Sequence, residues 1–183
     1  MQVGPSSFKE LKQYIIHDLK WTGGHVVRTF LLRYIFEPGF RYVFWLRITR
    51  FMYLRWGRPM AIVPGVFLKH YSYKYHFDIS FRAQIGPGLT IGHMGYIIVT
   101  SDTIIGQNCT LRPGVVFGKK VSVNGDHGCR VGDNVSFGVG SKIVGRIDIG
   151  NNVIVGANAV ITHDVPSNCT VAGVPARVIN ENL

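Results

Sequence analysis

A large apolar residue returns every sixth position along the second half of the chain, at Val131, Phe137, Ile143, Ile149, Val155 and Ile161. The same step runs upstream through Val99, Ile105, Leu111 and Phe117, and before that through Ile79, Ile85 and Ile91. A period of six matches neither the 3.6-residue turn of a helix nor the two-residue alternation of a half-buried strand. It suits a chain of short strands with a tight corner after each, one apolar side chain per strand pointing to a shared axis. Glycine follows many of the anchors, as at Gly86, Gly106, Gly132 and Gly150, where a corner leaves little room for a Cβ. A second small or apolar residue recurs four places after the anchor, for example Cys109, Val135, Val153 and Ala159. At three anchors per coil the pattern predicts roughly four stacked coils with one continuous core, a mainly β parallel solenoid.

Two interruptions stand out. The step from Ile91 to Val99 is eight residues, so two extra residues enter around His93-Met94-Gly95. The step from Phe117 to Val131 is fourteen, which predicts a protruding loop from Gly118 to Arg130. A stacked core survives insertions that bulge outward, and such loops are where function concentrates. Each interruption contains a histidine, His93 in the first and His127 in the second.

The first 76 residues differ in kind. They hold twelve of the twenty Lys/Arg but three of the ten Asp/Glu, and 17 of the 22 aromatic residues. The chain therefore divides into a helical, basic and aromatic region over 1–76 and a solenoid over 77–183. Residues 8–20 predict an amphipathic helix capped by Ser6 or Ser7. Residues 25–56 predict further helix, broken near Pro38-Gly39. The stretch RYVFWLRITRFMYLRWGR interleaves arginine with aromatics, a pattern suited to a membrane interface, to burial against the solenoid or a neighbouring subunit, or to a polyanionic glycan. No nucleic-acid-binding motif accompanies it, and nucleic acid is not expected as a partner.

Nothing in residues 1–20 reads as a signal peptide, and no apolar run approaches the ~18–20 residues that span a bilayer. The expected location is the cytoplasm, with peripheral contact at the cytoplasmic face of the membrane. Cys109, Cys129 and Cys169 are too few and too odd in number for a disulfide framework, and they form no CxxC pair. The glycosylation sequons at Asn108, Asn134 and Asn168 are discounted for the same cytoplasmic reason. No metal is expected: His93, His127 and His163 have no spacing suited to a zinc site. His17, His25, His70 and His76 read as surface or packing residues.

The segment from Asp78 to Ile179 resembles the left-handed β-helix, or hexapeptide-repeat, acyltransferases, which include serine acetyltransferases and bacterial polysaccharide or colanic-acid-type O-acetyltransferases. The residues that carry the resemblance are Asp78-Ile79, Ile91-Gly92-His93-Met94-Gly95, and the closing run from Val155-Gly-Ala-Asn-Ala-Val-Ile-Thr-His to Gly173-Val-Pro-Ala-Arg177. The resemblance implies a homotrimer with active sites between neighbouring solenoids, and direct transfer of an acetyl group from acetyl-CoA to a hydroxyl. A hydroxyl is a poor nucleophile, so a base must take its proton as it attacks. Asp78 and His93, fifteen positions apart, match the family's Asp-His pair, with the imidazole as base and the carboxylate as its orienter. His127 matches a second substrate-site histidine. Val139 and Ala157 match backbone positions along the pantetheine arm. Thr162 and His163 fall where related enzymes carry Thr-Lys near the CoA phosphates, and Arg177 is placed to meet a phosphate. Cys109 reads as packing, which favours direct transfer over an acyl-enzyme.

The acceptor is read from what is missing. The serine enzymes place an acid just before the catalytic histidine and an arginine just before the second one. This chain has Gly92 and Asp126 there. A serine zwitterion would then leave both charges unpaired, at high cost. The expectation from sequence is therefore a sugar hydroxyl in surface-polysaccharide assembly, with serine O-acetylation of cysteine biosynthesis as the alternative and a non-catalytic scaffold as a third reading.

Overall fold

A computed structural model describes residues 4–20, 23, 25–118 and 128–181. Four helices precede the strands. In α1 (Phe8–Asp18), Ser7 caps the first turn by accepting the Glu10 N–H at 3.2 Å, and the Glu10 carboxylate returns to the Ser6 N–H at 2.8 Å. Helix α2 (Val26–Phe36) stops at Glu37, which is extended as the residue before a proline tends to be, and Pro38 opens α3 (Pro38–Trp56). Gly57, at φ 83, turns the chain into α4 (Arg58–Tyr75). No helix of the described residues is long and apolar enough to cross a membrane.

The strands form three parallel sheets around one axis. The first holds β1 (Phe77–Ile79), β4 (Ile97–Val99), β7 (Val116–Gly118), β10 (Lys142–Val144) and β13 (Val160–Ile161). The second holds β2 (Gln84–Ile85), β5 (Ile104–Ile105), β8 (Arg130–Val131) and β11 (Asp148–Ile149). The third holds β3 (Thr90–Ile91), β6 (Thr110–Leu111), β9 (Ser136–Phe137), β12 (Ile154–Val155) and β14 (Cys169–Gly173), and ends with β15 (Ala176–Glu181), which runs antiparallel to β14. All thirteen six-step anchors are buried, and the residues stacked in register are anchors on anchors, as in Ile85, Ile105 and Val131. The second recurring position is buried too, at Cys109, Val135, Val153 and Ala159.

The corners explain the discounted sequons. Asn108, Asn134, Asn152, Asn158 and Asn168 all sit in the left-handed region, with φ between 55 and 59. Asparagine tolerates that conformation better than most side chains. Its amide also stacks on the next coil: Asn134 Nδ2 donates to Asn152 Oδ1 at 3.0 Å, and Asn152 Nδ2 to Asn168 Oδ1 at 2.8 Å. A corner Asn, a core residue and an outward Ser or Thr spell the sequon by geometry alone.

The helices cover the first coil. Tyr42, Val43 and Leu46 of α3, with Leu68 and Tyr75 of α4, belong to the same buried cluster as the solenoid anchors. Gly39 lets α3 approach, because a Cβ there would sit 2.2 Å from the Ile91 carbonyl oxygen. A buried ion pair holds the layers together. Arg47 reaches Asp18 through Nε at 2.8 Å and Nη2 at 3.0 Å, and donates to the carbonyls of Ile85 and Gly86 at 2.6 Å each. Asp18 in turn accepts the N–H groups of Gly88 and Leu89 at 2.7 and 3.0 Å. Every strong polar group of the pair is satisfied, which a buried charge requires.

Candidate active site

The two-residue insertion falls at the corner between the third and first sheets. It is fixed from both sides: the Gly95 N–H donates to the Tyr75 carbonyl at 3.2 Å, and the Tyr96 carbonyl accepts the Gly114 N–H at 2.6 Å. His93, exposed in this corner, faces a cavity of about 380 Å³ between the first coil and the helices. Opposite it are Phe36, Glu37 and Pro38 from the α2–α3 junction. Arg33 grips Glu37 Oε2 with Nε at 2.7 Å and Nη2 at 2.5 Å, and its Nη1 donates to the carbonyls of Asp18 and Leu19. Of the five guanidinium hydrogens, one on Nη2 is left over among the described residues, and so is Glu37 Oε1. The cavity thus offers a histidine base, a carboxylate oxygen and a guanidinium N–H.

Asp78 is exposed in the middle of β1, and it lines a different cavity of about 400 Å³ with Tyr73, His76 and Tyr96. No hydrogen bond joins Asp78 to His93 among the described residues. They lie on neighbouring segments all the same, since Ile97 pairs with Phe77 and the Ile97 N–H reaches the His76 carbonyl at 3.3 Å.

Val139 and Ala157 fall on the same solenoid edge as His93, in the corners after β9 and β12. The ladder along that edge uses carbonyls: Pro113 accepts from Gly140, and Val139 accepts from Asn158, each at 2.8 Å. The Val139 carbonyl is thus one rung of the ladder and keeps a second lone pair. Thr162 and His163 lie on another edge, after β13, together with Arg177 from β15. Arg177 Nη1 is 3.1 Å from His163 Nε2, and His163 Nδ1 is 3.2 Å from Thr162 Oγ1. The strands β7 and β8, which flank the His127 insertion in sequence, border this same second edge. His127 itself, like Asp126, lies outside the described residues.

The thiols are not placed for chemistry. Burial pushes Cys109 up to about 11 and Cys129 up to about 12, far from a nucleophilic thiolate.

Residues 128–163 match the family described as bacterial transferase hexapeptide (six repeats). The serine acetyltransferase of Synechococcus elongatus is 34% identical over 143 residues, which are 78% of this chain and 57% of that protein. The structure of the Neisseria gonorrhoeae serine acetyltransferase in complex with serine matches at TM-score 0.78 and 27% identity, over 94% of this chain and 70% of that one. The Brucella abortus serine acetyltransferase in complex with coenzyme A matches at TM-score 0.80 and 25% identity, over 96% and 70%. This chain spans a little over half the length of the curated relatives it matches.

These similarities correct the expectation of a sugar acceptor in polysaccharide assembly, because the relatives are serine acetyltransferases. Gly92 and Asp126 are only the sequence neighbours of the two histidines, and charge partners can come from elsewhere in the chain. The Arg33–Glu37 pair stands more than fifty residues upstream of His93 and supplies both signs of charge to its cavity. The one signal available was that Glu37 is the sole acid between Asp18 and Asp78, directly before a proline.

Proposed function

We propose that this relative of the serine acetyltransferases, whose solenoid carries the bacterial transferase hexapeptide repeat, transfers an acetyl group from acetyl-CoA to the hydroxyl of serine. The observation that carries the reading is the cavity that His93 shares with the Arg33–Glu37 pair. A zwitterion fits it, its ammonium on Glu37 Oε1 and its carboxylate on the spare Arg33 N–H, so neither charge is buried alone.

On this reading neutral His93 takes the serine Oγ proton as that oxygen attacks the thioester carbonyl. The new C–O bond forms, the C–S bond breaks, and His93 returns the proton to the departing sulfur. Asp78, on the strand beside the His93 corner, is the carboxylate assigned to orient the imidazole and support its transient positive charge, a role that requires the exposed His93 ring to turn from the helix cavity toward β1. The Val139 and Ala157 edge holds the pantetheine arm through backbone groups, and Thr162, His163 and Arg177 meet the CoA phosphates. The solenoid coils left-handedly and assembles as a trimer. The edge of one copy that carries His93 then meets the edge of its neighbour bordered by β7 and β8. The helical region over 1–76 and the solenoid over 77–183 divide the work, the first supplying the acceptor's charge partners and the second the base and the CoA track.

The test is thiol release from acetyl-CoA with L-serine, for the wild type and His93→Ala side by side. Turnover with serine that falls at least about a hundredfold in His93→Ala supports the reading. Turnover that the substitution leaves intact removes His93 as base, and no turnover with serine removes the acceptor.

A further inference from the structure

The helices turn apolar side chains outward. On α4, Ile62, Val63 and Val66 are 63%, 67% and 64% exposed, with Met60 beside them. On α2, Val27, Leu31 and Ile35 repeat every four residues along one exposed face. The two helices pack on the same residue of α3: Trp45 Nε1 donates to Tyr34 Oη of α2 at 3.0 Å, and the Trp45 ring stacks on Phe67 of α4 at 4.5 Å. Trp45 thus sits between the two helices that carry the exposed stripes. Apolar surface of this extent on a folded chain marks a place where something docks.

Charge says what docks. From Pro38 to Phe77 the chain has seven Lys/Arg and no Asp or Glu. Arg47 is consumed in the buried pair with Asp18, while Arg28, Arg55, Arg58, Lys69 and Lys74 are exposed and have no ion-pair partner among the described residues. Glu37, just before that stretch, is held by Arg33. A second copy of the same face would set cation against cation. A bilayer with anionic headgroups accepts both components at once, the aliphatic side chains below the headgroups and the cations among the phosphates.

We propose that the exposed faces of α2 and α4 form a docking surface for an anionic lipid bilayer, seating the enzyme on the membrane by its helical layer. The inference stands on exposure and charge and does not rest on the serine reading.

Co-sedimentation of the full chain with phosphatidylcholine vesicles, with and without phosphatidylglycerol, tests it at low and high salt. Binding is expected with the anionic vesicles at low salt, falling as salt rises. Ile62→Glu/Val66→Glu is expected to lower the bound fraction at least about tenfold. Arg58→Glu/Lys74→Glu is expected to lower it at least about twentyfold. Thermal melts of both variants check folding, and serine turnover without vesicles reports separately on the proposed activity. No binding to anionic vesicles, or equal and salt-insensitive binding to neutral ones, overturns the proposal. So does a change of solution mass in Ile62→Glu/Val66→Glu without vesicle binding by the wild type, because the face is then a protein interface.

Discussion

Arg177 Nη1 lies 3.1 Å from His163 Nε2, and this contact fixes the imidazole tautomer. A guanidinium only donates, so Nε2 must accept, and the ring proton sits on Nδ1, where it reaches Thr162 Oγ1 at 3.2 Å. Three residues that the sequence scatters over fifteen positions become one donor-rich cluster at the end of the solenoid. Arg177→Ala is expected to raise KM for acetyl-CoA about tenfold with kcat little changed, since a charged hydrogen bond is lost from binding only. Arg177→Lys should restore only part of the affinity, because a point charge replaces the planar fork. Steady-state kinetics with acetyl-CoA varied check both.

Glu37→Gln removes the carboxylate that faces His93 but keeps the side-chain shape. KM for serine is expected to rise at least about tenfold, with a smaller effect on KM for acetyl-CoA. The fold should hardly notice, because exposed pairs such as Arg33–Glu37 contribute about 0–1 kcal/mol. Equal KM for serine in variant and wild type would leave the acceptor's ammonium without its proposed partner.

Gly92 faces open space, with nothing within 4 Å of the position its Cβ would take. An acid therefore fits directly before His93, and Gly92→Asp is expected to lower KM for serine several-fold by adding a second anion near the ammonium. A rise in KM would mean the ammonium binds elsewhere.

Arg47→Met leaves the Asp18 carboxylate buried with only two N–H partners. Breaking a buried pair from one side costs about 3–5 kcal/mol. A large drop in the denaturant midpoint, read by circular dichroism, is the expected outcome.

Burial raises the Cys109 thiol to about 11, which at pH 8 leaves roughly one thiolate in a thousand. The sign is that of a buried neutral group: the thiol stays protonated, and reactivity appears only as pH climbs toward that value. Native protein at pH 8 should resist alkylation at Cys109 and Cys129, gain labels on denaturation, and keep its turnover after native treatment. Fast labelling of either residue in the native state would contradict the packing described.

The solenoid was legible because its signal is local and repeated: within the runs Ile79–Ile91, Val99–Phe117 and Val131–Ile161 each anchor declares itself six residues from the next, and all are buried. The break at Pro38 was legible for a similar reason, since a proline constrains the residue before it. Helix α4 was harder to delimit, with Pro64 inside it and apolar side chains facing outward. The far wall of the His93 cavity was not legible at all. Glu37 shares a cavity with His93 because Gly39 lets α3 settle on Ile91, a juxtaposition that no periodicity within either segment encodes.

The final strand has a consequence for growth. Every coil up to β14 presents the next with a parallel template, a surface on which stacking could in principle continue without limit. Reversing direction at Pro175, β15 covers that template with a strand of opposite polarity, while α3 and α4 sit over the first coil at the other end. Head-to-tail stacking is thereby opposed at one end along the third sheet and at the other by the helices. New coils can be gained by this architecture only from within, three hexapeptides at a time, and the length of the solenoid is set by how many such insertions the interior has accepted.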